Sequence, residues 1–236
     1  MRVIHKYEKK RWGEKSKAEK WGVDKTDSIE SRDFLFLGSG RTGSQHISAV
    51  MKHWGYDVGH ETTGLDGTST HFFHADNDWY PMYPWTKHCA HRGERLSDFE
   101  FKYRIHVIRN PLSCIPSIMK IFTTLEWEFA EDTGLLPSDS RGWSKLQRVM
   151  FYWLNFNLRA EQQCETFMRT EELFMVLPKF MKEVIGQDVV WPEMKHKNRG
   201  TGFRKSVPTT YSDLYAEFPV IARGIRSLAK RYGYDV

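Results

Sequence analysis

Residues 34–47 read "FLFLGSGRTGSQHI". Four consecutive apolar residues, Phe34 to Leu37, fit a strand buried on both faces. Gly38, Gly40 and Gly43 then fall at G-x-G-x-x-G spacing, and Ile47, Val50, Met51 and Trp54 recur at helical spacing over 43–54. A strand, a tight turn and a helix start together present backbone N–H groups to an anion. Which anion is the question. A dinucleotide site would use Gly38, Gly40 and Gly43 for the pyrophosphate and a later acid, here Glu61, for the ribose. A Walker A loop is excluded, because no Lys-Ser/Thr pair is present to reach the β/γ-phosphates and Mg²⁺. Arg41 and Ser44 stand in the loop instead, and an arginine adds a rigid fork for anionic oxygens.

Further along the chain, "HVIRNPLSCIPS" (106–117) carries a second signal. "YRIHVIR" (103–109) reads as a strand ending at Arg109. Pro111 suits the first turn of a helix, and Leu112, Ile115, Ile118, Met119 and Phe122 continue that helix on one face. Ser117 lies eight residues after Arg109. A strand-end arginine and a hydroxyl near a helix start can converge on one phosphate. A dinucleotide has no routine need for this extra site; a ligand with two separate phosphates does.

The remaining chain supplies the other elements. "YDVGHE" (56–61) is a short strand, residues 62–100 show no clear period, and 143–164 form a long amphipathic helix in which Trp153 and Phe156 read as core. "TFMRTEEL" (166–173) is a strand running into a helix start, 193–207 a polar basic loop, and 211–232 a helix. Strands alternating with helices predict an α/β fold, a three-layer P-loop-like arrangement with a central parallel sheet flanked by helices. A basic N-terminal arm, 1–32, precedes a single domain over 33–236.

Charge is uneven. Residues 1–32 hold ten Lys/Arg against six Asp/Glu, while residues 33–236 hold 25 against 24. A nearly neutral domain argues against a nucleic-acid partner. Cys89, Cys114 and Cys164 are sparse and odd in number, which fits a reducing, cytoplasmic setting rather than a disulfide framework. No run approaches the ~18 apolar residues of a membrane span, and no apolar signal core opens the chain. His71, His74, His88, Cys89 and His91 match no standard zinc spacing, so no metal is expected. The aromatics of "DWYPMYPWTKH" (78–88) suit stacking on a sugar or another flat acceptor, and equally suit packing under a lid.

The pair "GSGRTGSQ" and "RNPLSCIPS" resembles the nucleotide site of sulfotransferases that use 3′-phosphoadenosine-5′-phosphosulfate (PAPS). "FMRTEEL" is similar to that family's strand-to-helix segment, and "TTYSDL…RYGY" to the C-terminal helix of bacterial-type members. The likeness spans roughly 33–236. It implies that the first loop, Gly40, Arg41, Thr42, Gly43, Ser44 and Gln45, holds the 5′-phosphosulfate, and that Arg109 and Ser117 hold the 3′-phosphate. The chain departs from the cytosolic animal members in three places. Arg41 stands where they carry Lys, "NRGTGFRKS" only loosely echoes their R-K-G-x-x-G-x-W-K, and Gln45 and His46 occupy the region of an adenine-contacting Trp.

The resemblance implies transfer of a sulfuryl group from PAPS to a hydroxyl or amine acceptor, carbohydrate or other, without a metal. Arg41 and the 42–45 amides would stabilise charge on the leaving oxygen. In the family the base often follows the second strand, which makes Glu61 the expected general base and His60 the second choice. Two other classes remain open at this stage: a Rossmann-type NAD(P) oxidoreductase, and a non-catalytic nucleotide binder of the same fold.

Overall fold

The computed structural model describes residues 29–74, 96–122, 124–193 and 210–236, with 124–126 as backbone. Five strands, β1 (Glu30–Leu37), β2 (Val58–His60), β3 (Gly67–Thr70), β4 (Phe99–Ile108) and β5 (Thr166–Arg169), form one sheet in the order β2-β3-β1-β4-β5. Every neighbouring pair is parallel. The helices are α1 (Ser44–His53), α2 (Pro111–Ile121), α3 (Thr124–Asp132), α4 (Lys145–Gln163), α5 (Leu173–Phe180), α6 (Tyr211–Glu217) and α7 (Pro219–Arg231).

The period-2 alternation of β1 sorts these helices into two layers. Phe34 and Phe36 belong to a cluster with Ile47, Val50 and Met51 of α1 and Leu173 and Leu177 of α5. Leu35 and Leu37 belong to the other cluster, with Ile115 and Ile118 of α2, Trp153 and Phe156 of α4, and Ile225 and Leu228 of α7. All four β1 residues are at most 1% exposed. Each side chain so buried contributes about 1.5–3 kcal/mol. The chain is thus an α/β fold of three layers around a central parallel sheet.

Helix starts follow the local chemistry. Pro111 occupies the first position of α2, and the Asn110 side chain accepts the Leu112 N–H. Ser144 and Gln147 form a capping box at α4, and Thr210 and Asp213 another at α6. Pro219 starts a new helix after Phe218, so the expected single helix over 211–232 is two.

Two boundaries also differ from the sequence expectation. β1 begins at Glu30, so Glu30, Ser31 and Arg32 of the basic arm pair with Phe99, Glu100 and Phe101 of β4. The aperiodic 62–100 stretch contains β3, "GTST", buried along its whole length. Its residues are small, so no apolar run marks it. Among the described residues, no helix is long and apolar enough to cross a membrane. The 78–88 aromatics, His88, Cys89, His91, residues 1–28 and nearly all of the 193–207 loop lie outside the described residues.

Gly67 shows how tightly β3 meets β1. Its φ is +147°, and a Cβ there would lie 1.9 Å from the Phe34 carbonyl oxygen. Gly67→Ala should therefore cost more than about 3 kcal/mol of stability in urea unfolding. Gly142, whose added Cβ would meet nothing within 4 Å, is the control, and Gly142→Ala should stay within about 0.5 kcal/mol of the parent. A Gly67→Ala protein with the parent's unfolding midpoint would contradict this packing.

Candidate functional site

The 38–43 loop leaves the carboxyl end of β1, between β3 and β4. The Gly38 N–H donates to the Thr70 carbonyl at 3.2 Å. A Cβ on Gly38 would stand 2.3 Å from Thr42 Oγ1 and 2.7 Å from the Val107 carbonyl, so this position needs glycine. Gly43 has φ +92° and caps α1, its carbonyl accepting the N–H groups of His46 (2.9 Å) and Ile47 (3.0 Å). Gly40 is different: an added Cβ would find nothing nearer than Phe122 at 3.8 Å. The protein's own packing therefore does not demand glycine at 40. Arg41 is left-handed as well, with φ 75°.

α1 opens at Ser44 with neither a side-chain cap nor an acid in its first turn. Its first N–H groups have no intrahelical carbonyl and carry the positive end of the helix dipole. Gly43 and Ser44 are half-buried and Gln45 is exposed, while Thr42 is buried with its carbonyl 2.7 Å from Thr170 Oγ1. The same hydroxyl donates to the Ile108 carbonyl at 3.1 Å, tying the 38–43 loop to the ends of β4 and β5.

Arg41, Arg109 and Ser117 meet in space. Arg41 Nε donates to Ser117 Oγ at 3.0 Å, and Arg109 Nη1 donates to the Arg41 carbonyl at 3.1 Å. The turn that carries Arg109 is braced from behind. The Asn110 N–H donates to Glu171 Oε1 at 3.1 Å, and the Tyr234 hydroxyl donates to Glu171 Oε2 at 2.8 Å. Arg169 is occupied elsewhere, donating through Nε to Glu172 at 2.8 Å and through Nη1 to the Gly233 carbonyl at 2.7 Å. "RTEEL" and "RYGY" are thus the struts of the 108–110 turn.

A second cluster lies on the β2–β3 side. Glu61 follows β2 in a left-handed conformation, φ 51°, and is 6% exposed. Thr70 Oγ1 donates to its Oε2 at 2.6 Å, and His71 Nδ1 lies 3.0 Å from its Oε1. His60 Nδ1 is 3.9 Å away. Burial pushes the carboxyl pKa up, but the charge and hydrogen bond of His71, the charge of His60 and the Thr70 bond outweigh it and hold the group at about 2. Glu61 is therefore a carboxylate at neutral pH, with a hydrogen-bonding partner on each oxygen. The cluster adjoins the loop, because Thr70 is registered with Leu37.

Sequence reasoning did not find Thr70, Thr170 or Tyr234, and it weighed His71 as a metal ligand and, within the His-rich 71–91 segment, as a fallback for the base. No local pattern marks them; their roles arise from strand register. Among the described residues no group of three or more His, Cys, Asp or Glu side chains is arranged to hold a metal ion. His74 is packed against Phe129 and Phe156, and burial pulls its pKa to about 3. No family model, curated protein or solved structure matches this chain.

The Glu61 geometry fixes a pH dependence. A carboxyl at about 2 when folded and 4.5 when unfolded stabilises the fold fully above pH ~4.5 and loses that contribution as pH falls toward 2. The stability advantage of the parent over Glu61→Gln should shrink by about 3 kcal/mol between pH 5 and pH 2. Parallel unfolding curves for the two proteins across that window would mean that Glu61 is not held as described.

Proposed function

We propose that this chain is a PAPS-dependent sulfotransferase acting on a hydroxyl or amine acceptor, carbohydrate or other. One observation carries the reading. Arg41, Arg109 and Ser117, distant in sequence, come together beside an uncapped helix start, where the resemblance expects a nucleotide with two separate phosphates. In this reading Gly40, Thr42, Gly43, Ser44 and Gln45 hold the 5′-phosphosulfate through backbone N–H groups, and Arg109 with Ser117 holds the 3′-phosphate. The free thiols Cys114 and Cys164 are compatible with a cytoplasmic setting.

The transfer needs a proton acceptor. A carboxylate held at about 2 is by itself a weak base at neutral pH, but its bond to His71 Nδ1 orients that ring. His71 Nε2 then takes the acceptor's proton while Glu61 stabilises the resulting imidazolium, and His60 stands second. The acceptor oxygen or nitrogen attacks sulfur, the sulfur–oxygen bond to the 5′-phosphate breaks, and the bisphosphate leaves with the electron pair. The NAD(P) reading is weaker on the same geometry, because both Glu61 oxygens are already engaged by Thr70 and His71 rather than free for a ribose.

Adenosine 3′,5′-bisphosphate should raise the melting temperature of the full chain, by a stabilisation of about 2.7 kcal/mol at a hundredfold excess over Kd. NADH should not. A shift with NADH alone would overturn the sulfotransferase reading. In a bisphosphate-release assay with saturating PAPS and an acceptor panel, His71→Ala and Glu61→Gln should each lower turnover by about 10²–10⁴-fold without weakening donor binding. Loss of donor binding in Glu61→Gln would instead make Glu61 a nucleotide ligand.

A further inference from the structure

The resemblance puts Arg41 at the 5′ end of the donor, against the leaving oxygen. The geometry points elsewhere. Arg41 projects across the loop to α2, where its Nε donates to Ser117 Oγ at 3.0 Å. Arg109 approaches the same residue from β4, its Nη1 on the Arg41 carbonyl at 3.1 Å. Arg41, Arg109 and Ser117 are therefore linked by two hydrogen bonds on the β4–α2 side of the loop, through the Arg41 side chain in one case and its backbone carbonyl in the other.

The charge balance of that cluster is unusual. Among the described residues, neither Arg41 nor Arg109 forms an ion pair with a carboxylate. Glu171, the acid braced beneath the same turn, has both oxygens committed, one to the Asn110 N–H and the other to the Tyr234 hydroxyl. Arg41 also sits in a left-handed conformation that a non-glycine residue adopts at a cost, so its direction is imposed by the turn. With no carboxylate paired to either among the described residues, Arg41 and Arg109 keep N–H donors for an external anion, and the planar fork suits a phosphate monoester.

We propose that Arg41 completes the secondary-phosphate subsite with Arg109 and Ser117, so that the loop arginine selects nucleotides bearing a 3′-phosphate rather than stabilising the leaving oxygen. This rests on the sulfotransferase reading for the identity of the nucleotide. It leaves the 5′ end to the backbone N–H groups of Thr42 to Gln45 and makes Arg41 a specificity residue.

The test is calorimetry on the full chain with adenosine 3′,5′-bisphosphate and adenosine 5′-phosphate, read as the ratio of the two Kd values. Arg41→Asn is the main variant, since asparagine tolerates the left-handed backbone; Arg41→Lys retains the charge without the fork. Arg41→Asn should weaken the bisphosphate about tenfold to a hundredfold while the 5′-phosphate Kd changes by less than about threefold. Arg41→Lys should fall between Arg41→Asn and the parent. Arg109→Ala should shift the ratio the same way, and the Arg41→Asn/Arg109→Ala pair should be non-additive for the bisphosphate only. Equal weakening of both ligands by Arg41→Asn returns Arg41 to the 5′ end, and unchanged affinities make its bond to Ser117 structural; either result overturns the inference and leaves the sulfotransferase reading standing. A parent protein that binds both nucleotides equally, or neither, removes the reading and the inference together.

Discussion

Every candidate residue depends on one constraint, the parallel register of β1 between β3 and β4. Leu37 is opposite Thr70 on one side and His106 on the other. β1 and β3 therefore end at the same level and β4 two residues beyond it, so the segments that leave them, at Gly38, His71 and Arg109, emerge from adjacent strands. Moving β1 by one residue would exchange its two buried faces, sending Phe34 and Phe36 to the layer that now holds Leu35 and Leu37. The core thus enforces the register, and the register places the site. The close approaches at Gly38 and Gly67 show how little slack remains, since a single added carbon at either would strike a neighbouring strand's carbonyl oxygen.

The parts of the fold legible in the sequence were those with a local signature. The Phe34–Leu37 run, the glycines after it, the Asn110-Pro111 helix start and the apolar face of α4 each state their conformation within a few residues. β3 does not, because Gly67, Thr68, Ser69 and Thr70 are buried without being large or apolar. Packing space rather than hydrophobicity selects them. The break at Phe218 was hidden for a different reason: apolar spacing continues through Pro219, and only the proline itself marks the new start.

The site follows the same division. The loop glycines, Arg109 and Ser117 were legible because their spacing is local to two segments. What Arg41 touches was not, since Ser117 is 76 residues away and the direction of the side chain depends on a left-handed turn. Glu61 was legible as an acid after a strand, but its state was not. Whether it is a free base or a fully engaged carboxylate depends on Thr70 and His71, which reach it only once β2 and β3 pair.

The separation of charge across the loop has a physical logic. Glu61 is a buried carboxylate bonded to Thr70, which is opposite the last residue before the loop, and Arg41 and Arg109 meet on the β4 side. An ion pair between them would neutralise both, since opposite charges at about 4 Å attract by about 4 kcal/mol in a partly screened protein environment. Instead Glu61 is balanced by histidines and a threonine, and the arginines by a hydroxyl and a backbone carbonyl. Those neutral contacts orient the guanidiniums without cancelling their charge. The arginine side therefore keeps guanidinium N–H donors, while on the histidine side the His71 ring is held through its Nδ1 by the Glu61 carboxylate. On the proposed reading, the arginine flank would hold the anionic donor and the histidine flank would take the acceptor's proton, with one short loop between them.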